Sequence, residues 1–146
     1  MFHDNWNEIS EENYHEEDYR FLAANTGFWQ SPNVDPHPAP DPETFKQLPL
    51  GEDAIQVLDR IVETCNEEDI KIIFFTCPWS GEYNYSDAMQ EYADKNGCVY
   101  LDLFKYTDEM QFDTQTDLSD IEHLNDSGAG KVARFLAEYI KENYNL

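Results

Sequence analysis

An aspartate and a histidine three residues apart, Asp120 and His123, are the residues best suited to chemistry in this sequence. At this spacing the carboxylate can turn back within one turn of chain and accept the Nδ1 proton of the imidazole. That contact fixes the tautomer and leaves Nε2 as a general base. The pair therefore predicts two members of a catalytic triad, although a histidine that only caps a loop has the same spacing.

The third member of a triad would be a serine, and the sequence has six: Ser10, Ser31, Ser80, Ser86, Ser119 and Ser127. None of them lies in a Gly-Asp-Ser or Gly-x-Ser-x-Gly motif, which would present a strained and exposed hydroxyl. Ser80 is the candidate nucleophile, because it lies in the loop after a predicted strand and therefore at the same sheet edge as His123. The alternatives are that Pro78, Trp79 and Ser80 form one wall of a cleft, or that Ser80 starts a turn with Gly81.

The elements that must position these residues are predicted from periodicity. Apolar residues at helical spacing predict an amphipathic helix over residues 51–67 with one buried face. A buried parallel strand is predicted over residues 70–76. A helix is predicted from Ser86 to a left-handed C-cap at Gly97, and a second strand over residues 98–103. A strand, a helix and a strand in this order make a βαβ unit, so the predicted fold class is α/β.

The chain is predicted to divide near residue 50. Residues 1–49 comprise an acidic and aromatic arm and an extended Pro-rich segment, and residues 50–146 form the α/β part. A long acidic loop over residues 104–124 holds Asp120 and His123, and a helix over residues 126–143 follows. The apolar stripe of this helix is predicted to cover a sheet face, in a partial three-layer fold with a short parallel sheet; it comprises Val132, Phe135, Leu136, Tyr139 and Ile140.

Three cysteines are expected to be buried thiols: Cys65, Cys77 and Cys98.

Charge and composition exclude several classes of function. Among 146 residues, 31 are Asp or Glu and nine are Lys or Arg, which gives a formal net charge of -22. This charge excludes direct electrostatic binding of nucleic acid or anionic lipid and favours basic partners. Because the sequence has neither an apolar run long enough to span a bilayer nor a signal-peptide pattern, we expect a cytoplasmic protein.

The block Asp120-x-x-His123-Leu124-Asn125-x-x-Gly128-Ala129-x-Lys131-Val132 resembles the last conserved block of SGNH (GDSL-type) hydrolases and acyltransferases. Further segments resemble the bacterial, cell-envelope-associated branch of that family: His3 to Glu8, Pro78-Trp79-Ser80, Tyr92-Ala93-Asp94 and Tyr100-Leu101-Asp102. The resemblance implies esterase or O-acyltransferase chemistry, with Asp120 orienting His123 and His123 activating a serine. Trp6, Trp79 and Asn125, which lie in the similar segments, are the predicted binding residues.

The sequence also departs from that family. SGNH enzymes carry their nucleophile in a Gly-Asp-Ser block on the first strand, with further oxyanion donors from a later Gly and Asn, and none of these is recognisable here. The resemblance therefore covers the C-terminal half of the domain, and we expect weak or no activity from this chain alone. Half a sheet exposes apolar surface, so we also predict a complementing chain or a homo-oligomer.

A second interpretation belongs to a different class of protein. A stand-alone acidic protein could bind a basic protein surface, as a DNA mimic or as a phage-type inhibitor, for example an anti-CRISPR-like one. The alternative is that the acidic surface does no more than maintain solubility.

Metal sites are not predicted: the EF-hand pattern from Asp113 fails at Leu118 and Leu124, and no His or Cys pair has zinc-ligand spacing. No cofactor is predicted.

Overall fold

A computed structural model of the chain describes residues 31–41, 44 and 46–144, which belong to a compact unit from Ser31 to Leu146. Trp6 lies outside the described residues. The regular elements, in chain order, are β1 (Lys46–Gln47), α1 (Glu52–Glu67), β2 (Ile73–Thr76), β3 (Tyr83–Asn84), α2 (Ser86–Asn96), β4 (Val99–Asp102), a 3-10 helix (Leu103–Tyr106), α3 (Thr107–Met110) and α4 (Asp126–Asn143).

The predicted βαβ unit is confirmed. Strands β2 and β4 pair in parallel over four residues each, from Ile73 opposite Val99 to Thr76 opposite Asp102. Helix α2 connects them and ends at Gly97, whose φ of 66° is the left-handed conformation that glycine adopts without steric cost. The fold class is α/β, and the described residues form short parallel sheets of two strands each.

The core lies where α4 covers one side of this sheet. Its fully packed residues come from β4, the 3-10 helix, α3 and α4: Leu101, Leu103, Met110 and Val132. Phe135, Leu136 and Tyr139 of α4 pack against them, which confirms the predicted apolar stripe. Helix α2 covers the sheet with the buried side chains of Tyr92 and Ala93.

Helix α1 corrects one prediction. The helix forms over nearly the predicted residues, but its expected apolar face is only partly buried. Val62 is buried, and Leu58 and Cys65 are half-buried. Ala54 is exposed, as are Ile55 at 37% and Ile61 at 40%. The physical reason is the size of the sheet, since two strands do not offer a wide enough face for another helix. One polar contact ties α1 to α2, a 2.8 Å hydrogen bond from the Tyr92 hydroxyl to Asp59.

Other predictions also change in the structure. The first part of the predicted loop over residues 104–124 is helical, because Leu103 and Met110 turn inward into the core. The Pro-rich region is extended as predicted, but it also contributes β1, which pairs in parallel with β3. The three cysteines are free and half-buried rather than fully buried. None of the described helices has the length and apolarity needed to cross a membrane.

Candidate functional site

A tight hairpin immediately before α4 carries Asp120 and His123. An antiparallel bridge between Leu118 and Leu124 closes it, and the amide of Ser119 donates to the carbonyl of His123 at 2.9 Å. Leu118 is fully buried and anchors the base of the hairpin, whereas its tip is open to solvent. The hairpin therefore presents its polar side chains from a fixed base.

The sequence prediction that Asp120 would face the imidazole of His123 is confirmed by the geometry. Nδ1 of His123 lies 2.9 Å from both carboxylate oxygens of Asp120. The Oδ1 atom also accepts hydrogen bonds from the backbone amides of Glu122 and His123, each at 2.8 Å. Because the carboxylate is acceptor-only when ionised, Nδ1 carries the proton and Nε2 is left as an acceptor.

The electrostatics keep Asp120 ionised. Partial burial acts to raise the pKa of its carboxyl, but the Glu122 amide and the imidazole and amide of His123 outweigh that effect and hold the pKa below its ordinary value. The two side chains are open to solvent, at 51% exposed for Asp120 and 64% for His123. Nε2 of His123 has no hydrogen-bond partner among the described residues. A base with this orientation can accept a proton from an incoming hydroxyl group.

Asn125 positions the hairpin against α4. Its side-chain oxygen accepts from the amide of Gly128 at 3.0 Å and so caps the helix, while its amide group donates to the carbonyls of Thr116 and Leu118. Asn125 is 3% exposed, so the structure uses this predicted binding residue as a buried support. Gly128 is needed beside it, because a Cβ there would lie 2.2 Å from the carbonyl oxygen of Asp117.

Ser80 lies next to the hairpin, as its place after β2 predicted. Its amide donates to the carbonyl of Ile121 at 3.0 Å, between the two residues of the Asp–His pair. Its hydroxyl, however, donates to the carbonyl of Pro38 at 2.7 Å, and no hydrogen bond joins Ser80 to His123. The structure brings Ser80 to the site but engages its hydroxyl elsewhere.

The Pro-rich segment supports the site in a way that the sequence did not reveal. The amides of Asp35 and His37 donate to the carbonyls of Leu118 and Thr114, at 3.0 and 3.2 Å. The hydroxyl of Thr114 returns a 2.8 Å hydrogen bond to the carbonyl of His37. These contacts join residues about 80 positions apart, so no local pattern in the sequence could have predicted them.

A cleft of about 530 Å³ opens beside the site, where β2 and β4 end. Trp79 lines it, in agreement with the predicted cleft wall, and Trp79 also packs edge-to-face on Tyr83 with ring centroids 5.0 Å apart. Its other walls carry aromatic, polar and acidic side chains, among them Asn84, Asp87, Asp102, Phe104, Asp108 and Phe112. Carboxyl ends of parallel strands are where open α/β sheets bind ligands. Asp120, His123 and Ser80 are not among the lining residues.

Within the described part of the chain, no three His, Cys, Asp or Glu side chains converge as a metal site would require. Compared with known protein families, curated protein sequences and solved structures, the chain has no significant match. The residues of the site and their geometry are therefore what indicates a function.

Proposed function

We propose that this chain is an SGNH-like acyl-handling fragment, related to esterases and O-acyltransferases, in which His123 is the general base and Asp120 orients it. The observation that carries the proposal is the 2.9 Å contact of Nδ1 with both carboxylate oxygens, together with an Nε2 atom that is open to solvent. The resemblance of the block from Asp120 to Val132 to that family supports the same assignment. The pair would take a proton from the hydroxyl that attacks an acyl carbonyl.

The Asp–His pair needs a nucleophile from another residue or from water. Ser80 donates its hydroxyl proton to the carbonyl of Pro38, so it would have to rotate away from that contact before His123 could activate it. Water or a serine from a complementing chain could otherwise be the attacking hydroxyl. A triad without its nucleophile falls far below the rate of an intact enzyme, and we therefore propose weak or no activity for the chain alone.

The test is hydrolysis of p-nitrophenyl acetate by the purified chain and by the variants His123→Ala, Asp120→Asn and Ser80→Ala. If the pair acts as a base, His123→Ala removes the activity above background and Asp120→Asn lowers it by at least tenfold, because the amide no longer fixes the tautomer. Loss of activity in Ser80→Ala as well would identify Ser80 as the nucleophile. Retention there would assign the attack to water.

The matched control is His37→Gln, because it removes one imidazole outside the Asp–His pair. His37 has a buried Nε2 atom, 3.2 Å from a carboxylate oxygen of Asp35, and should contribute nothing to the rate. Activity above background that is equal in the wild type, His123→Ala and His37→Gln would contradict a working base at His123.

A second candidate function is binding to a basic protein surface, as a DNA mimic or phage-type inhibitor. The observation in its favour is the net charge of -22, to which the exposed carboxylates of Asp108, Glu109, Asp113, Glu122 and Asp126 contribute along one stretch of chain. Such binding would weaken steeply with salt and would compete with duplex DNA. Titration against basic DNA-binding proteins at 50 and 300 mM salt, with DNA as competitor, measures both properties.

A further inference from the structure

The cleft at the ends of β2 and β4 has the features of a ligand site independently of the Asp–His pair. Its charge is unbalanced: four aspartates line it against one lysine, Lys105. That lysine is 67% exposed, and its Nζ atom lies 3.5 Å from the buried carboxylate of Asp102. Its charge therefore balances the charge of Asp102 and not that of the other three aspartates. The side chains of Asp87 and Asp108 accept no hydrogen bond from any residue that the structure describes.

Aromatic rings stand beside these carboxylates. Trp79 is half-buried at the wall of the cleft, and its ring is held by the edge-to-face contact with Tyr83. Phe104 and Phe112 line the same space. An aromatic face attracts a cation through the ring quadrupole and also packs against an alkyl stem. Carboxylates and rings together favour a cation at the end of an apolar chain.

Asn84 adds a hydrogen-bond donor to the wall of the cleft. Asn84 is 6% exposed and lines the cleft, and its side-chain oxygen accepts from the amide of Ser86 at 3.1 Å. That contact fixes the orientation of the side chain, and its nitrogen then has no acceptor among the described residues. The nitrogen is not one of the fully buried unpaired atoms of the described residues, so it keeps access to the cleft and can take an acceptor from a bound molecule. A carbonyl oxygen on a ligand would supply one.

We propose that this cleft binds an alkyl guanidinium or alkyl ammonium group that is attached to a carbonyl-bearing unit, as in an arginine or lysine residue. The cation lies between the side chains of Asp87 and Asp108, its stem packs on Trp79, and the carbonyl accepts from Asn84. The same cation could be presented by a free amine or by the side chain of a peptide. The presence of Asn84 favours the amino-acid form.

The experiment is an NMR titration of the full chain, following the indole resonance of Trp79, which the variant Trp79→Phe assigns. The probe is N-acetyl-arginine methylamide, and its neutral isostere N-acetyl-citrulline methylamide is the ligand control. A small ligand of this size should bind with a Kd of about 0.3 mM. The citrulline compound should bind about tenfold more weakly, because it lacks the charge. Spermidine, which has no carbonyl, distinguishes a free amine from the cationic side chain of a peptide. Weaker binding of spermidine than of the arginine compound assigns the site to amino-acid side chains. Equal binding assigns it to free amines.

A pair of variants locates the charge. Asp87→Asn combined with Asp108→Asn should weaken binding by about three- to tenfold, the effect of two partly exposed carboxylates. The matched control combines Glu63→Gln with Glu138→Gln, which changes the net charge equally on exposed helix positions outside the cleft. Neither aspartate side chain holds a hydrogen bond to a described residue, and both glutamates are exposed, so both pairs should keep the wild-type circular dichroism spectrum.

Three outcomes would overturn the proposal. Equal binding of the citrulline compound would show that the cation is not recognised. Equal weakening in the control pair would show that the attraction comes from the net charge rather than from the cleft. An unchanged Trp79 resonance at 10 mM of the arginine compound would show that the cleft does not bind it. None of these results depends on hydrolytic activity at His123, so the proposed function is tested separately.

Discussion

The carboxylate of Asp117 is fully buried and lies 2.7 Å from Nζ of Lys131, one turn inside α4. Asp117 also accepts hydrogen bonds from the Ser127 hydroxyl and from the backbone amide of Asp113, each at 2.7 Å. Lys131 donates in addition to the carbonyl of Gln111. This ion pair ties the stretch that leads into the hairpin to the first turns of the helix behind it.

Removing one partner of the pair should therefore destabilise the protein. In Lys131→Met the carboxylate of Asp117 stays buried without its counter-charge, and we expect the free energy of unfolding to fall by about 3–5 kcal/mol. Urea denaturation measures the change. Lys141→Met is the control, because that lysine is exposed near the end of the same helix and should change stability by less than about 0.5 kcal/mol. Equal losses in both variants would contradict a structural role for the pair.

The same carboxylate makes stability depend on pH. Burial acts to raise the pKa of Asp117, but the hydrogen bonds from Lys131, Asp113 and Ser127 outweigh it and hold the pKa below the ordinary 3.8. A depressed folded-state pKa contributes stability that is complete above the unfolded value and is lost as the pH falls through the folded value. We expect the free energy of unfolding to drop below about pH 4, and to drop less in Asp117→Asn. The difference between the two curves isolates Asp117 from Asp120, whose pKa is lowered as well.

Two glycines of α4 should respond in opposite directions to alanine. Gly128→Ala places a Cβ 2.2 Å from the carbonyl oxygen of Asp117, and the shift that this forces should cost about 3 kcal/mol. Gly130→Ala meets only the flexible end of Arg134 at 3.5 Å, so the better helix propensity of alanine should stabilise the protein by about 0.5–1 kcal/mol. Thermal unfolding of the two variants should move the Tm down and up respectively. A stable Gly128→Ala would mean that the helix does not approach Asp117 this closely.

The tautomer of His123 can be measured without any substrate. With Asp120 accepting from Nδ1, the neutral imidazole should carry its proton on Nδ1, which long-range proton–nitrogen correlation spectra identify. Asp120→Asn should remove that preference while the hairpin, held by Leu118 and Leu124, stays folded. A neutral imidazole with its proton on Nε2 in the wild-type protein would contradict the proposed base.

The exposed apolar side chains of α1 and β2 predict association with a second copy or a complementing chain. Ile55, Val57 and Ile61 of α1 and Phe75 of β2 are each more than a third exposed, although such surface is usually covered in stable proteins. We expect Ile61→Lys to reduce the mass observed by light scattering while leaving the fold intact. Ile121→Lys, at a site 47% exposed on the hairpin, is the matched control and should not change the mass. A monomeric wild-type chain would rule out association with a second copy.

Short-range patterns in the sequence determined several elements of this protein. Helix α4 begins at the Asn125 cap, α2 ends at Gly97, and the Asp120 carboxylate reaches His123, each through groups no more than four residues apart. Such features follow from the geometry of one turn of chain, which the sequence specifies directly. The parallel pairing of β2 with β4 was predictable for a related reason, because a short helical connection between two apolar strands allows few arrangements.

How these elements meet depends on contacts between distant parts of the chain. The contact of His37 with Thr114, the hydrogen bond from Ser80 to Pro38 and the cleft beside Trp79 join residues distant in the chain. The exposure of α1 was set in the same way, since whether an apolar face is buried depends on the width of the sheet it meets. Periodicity shows that a helix has an apolar face, but the surface that covers it comes from elsewhere in the fold. Among the residues that the structure describes, that surface is a sheet of two strands, too narrow to bury α1.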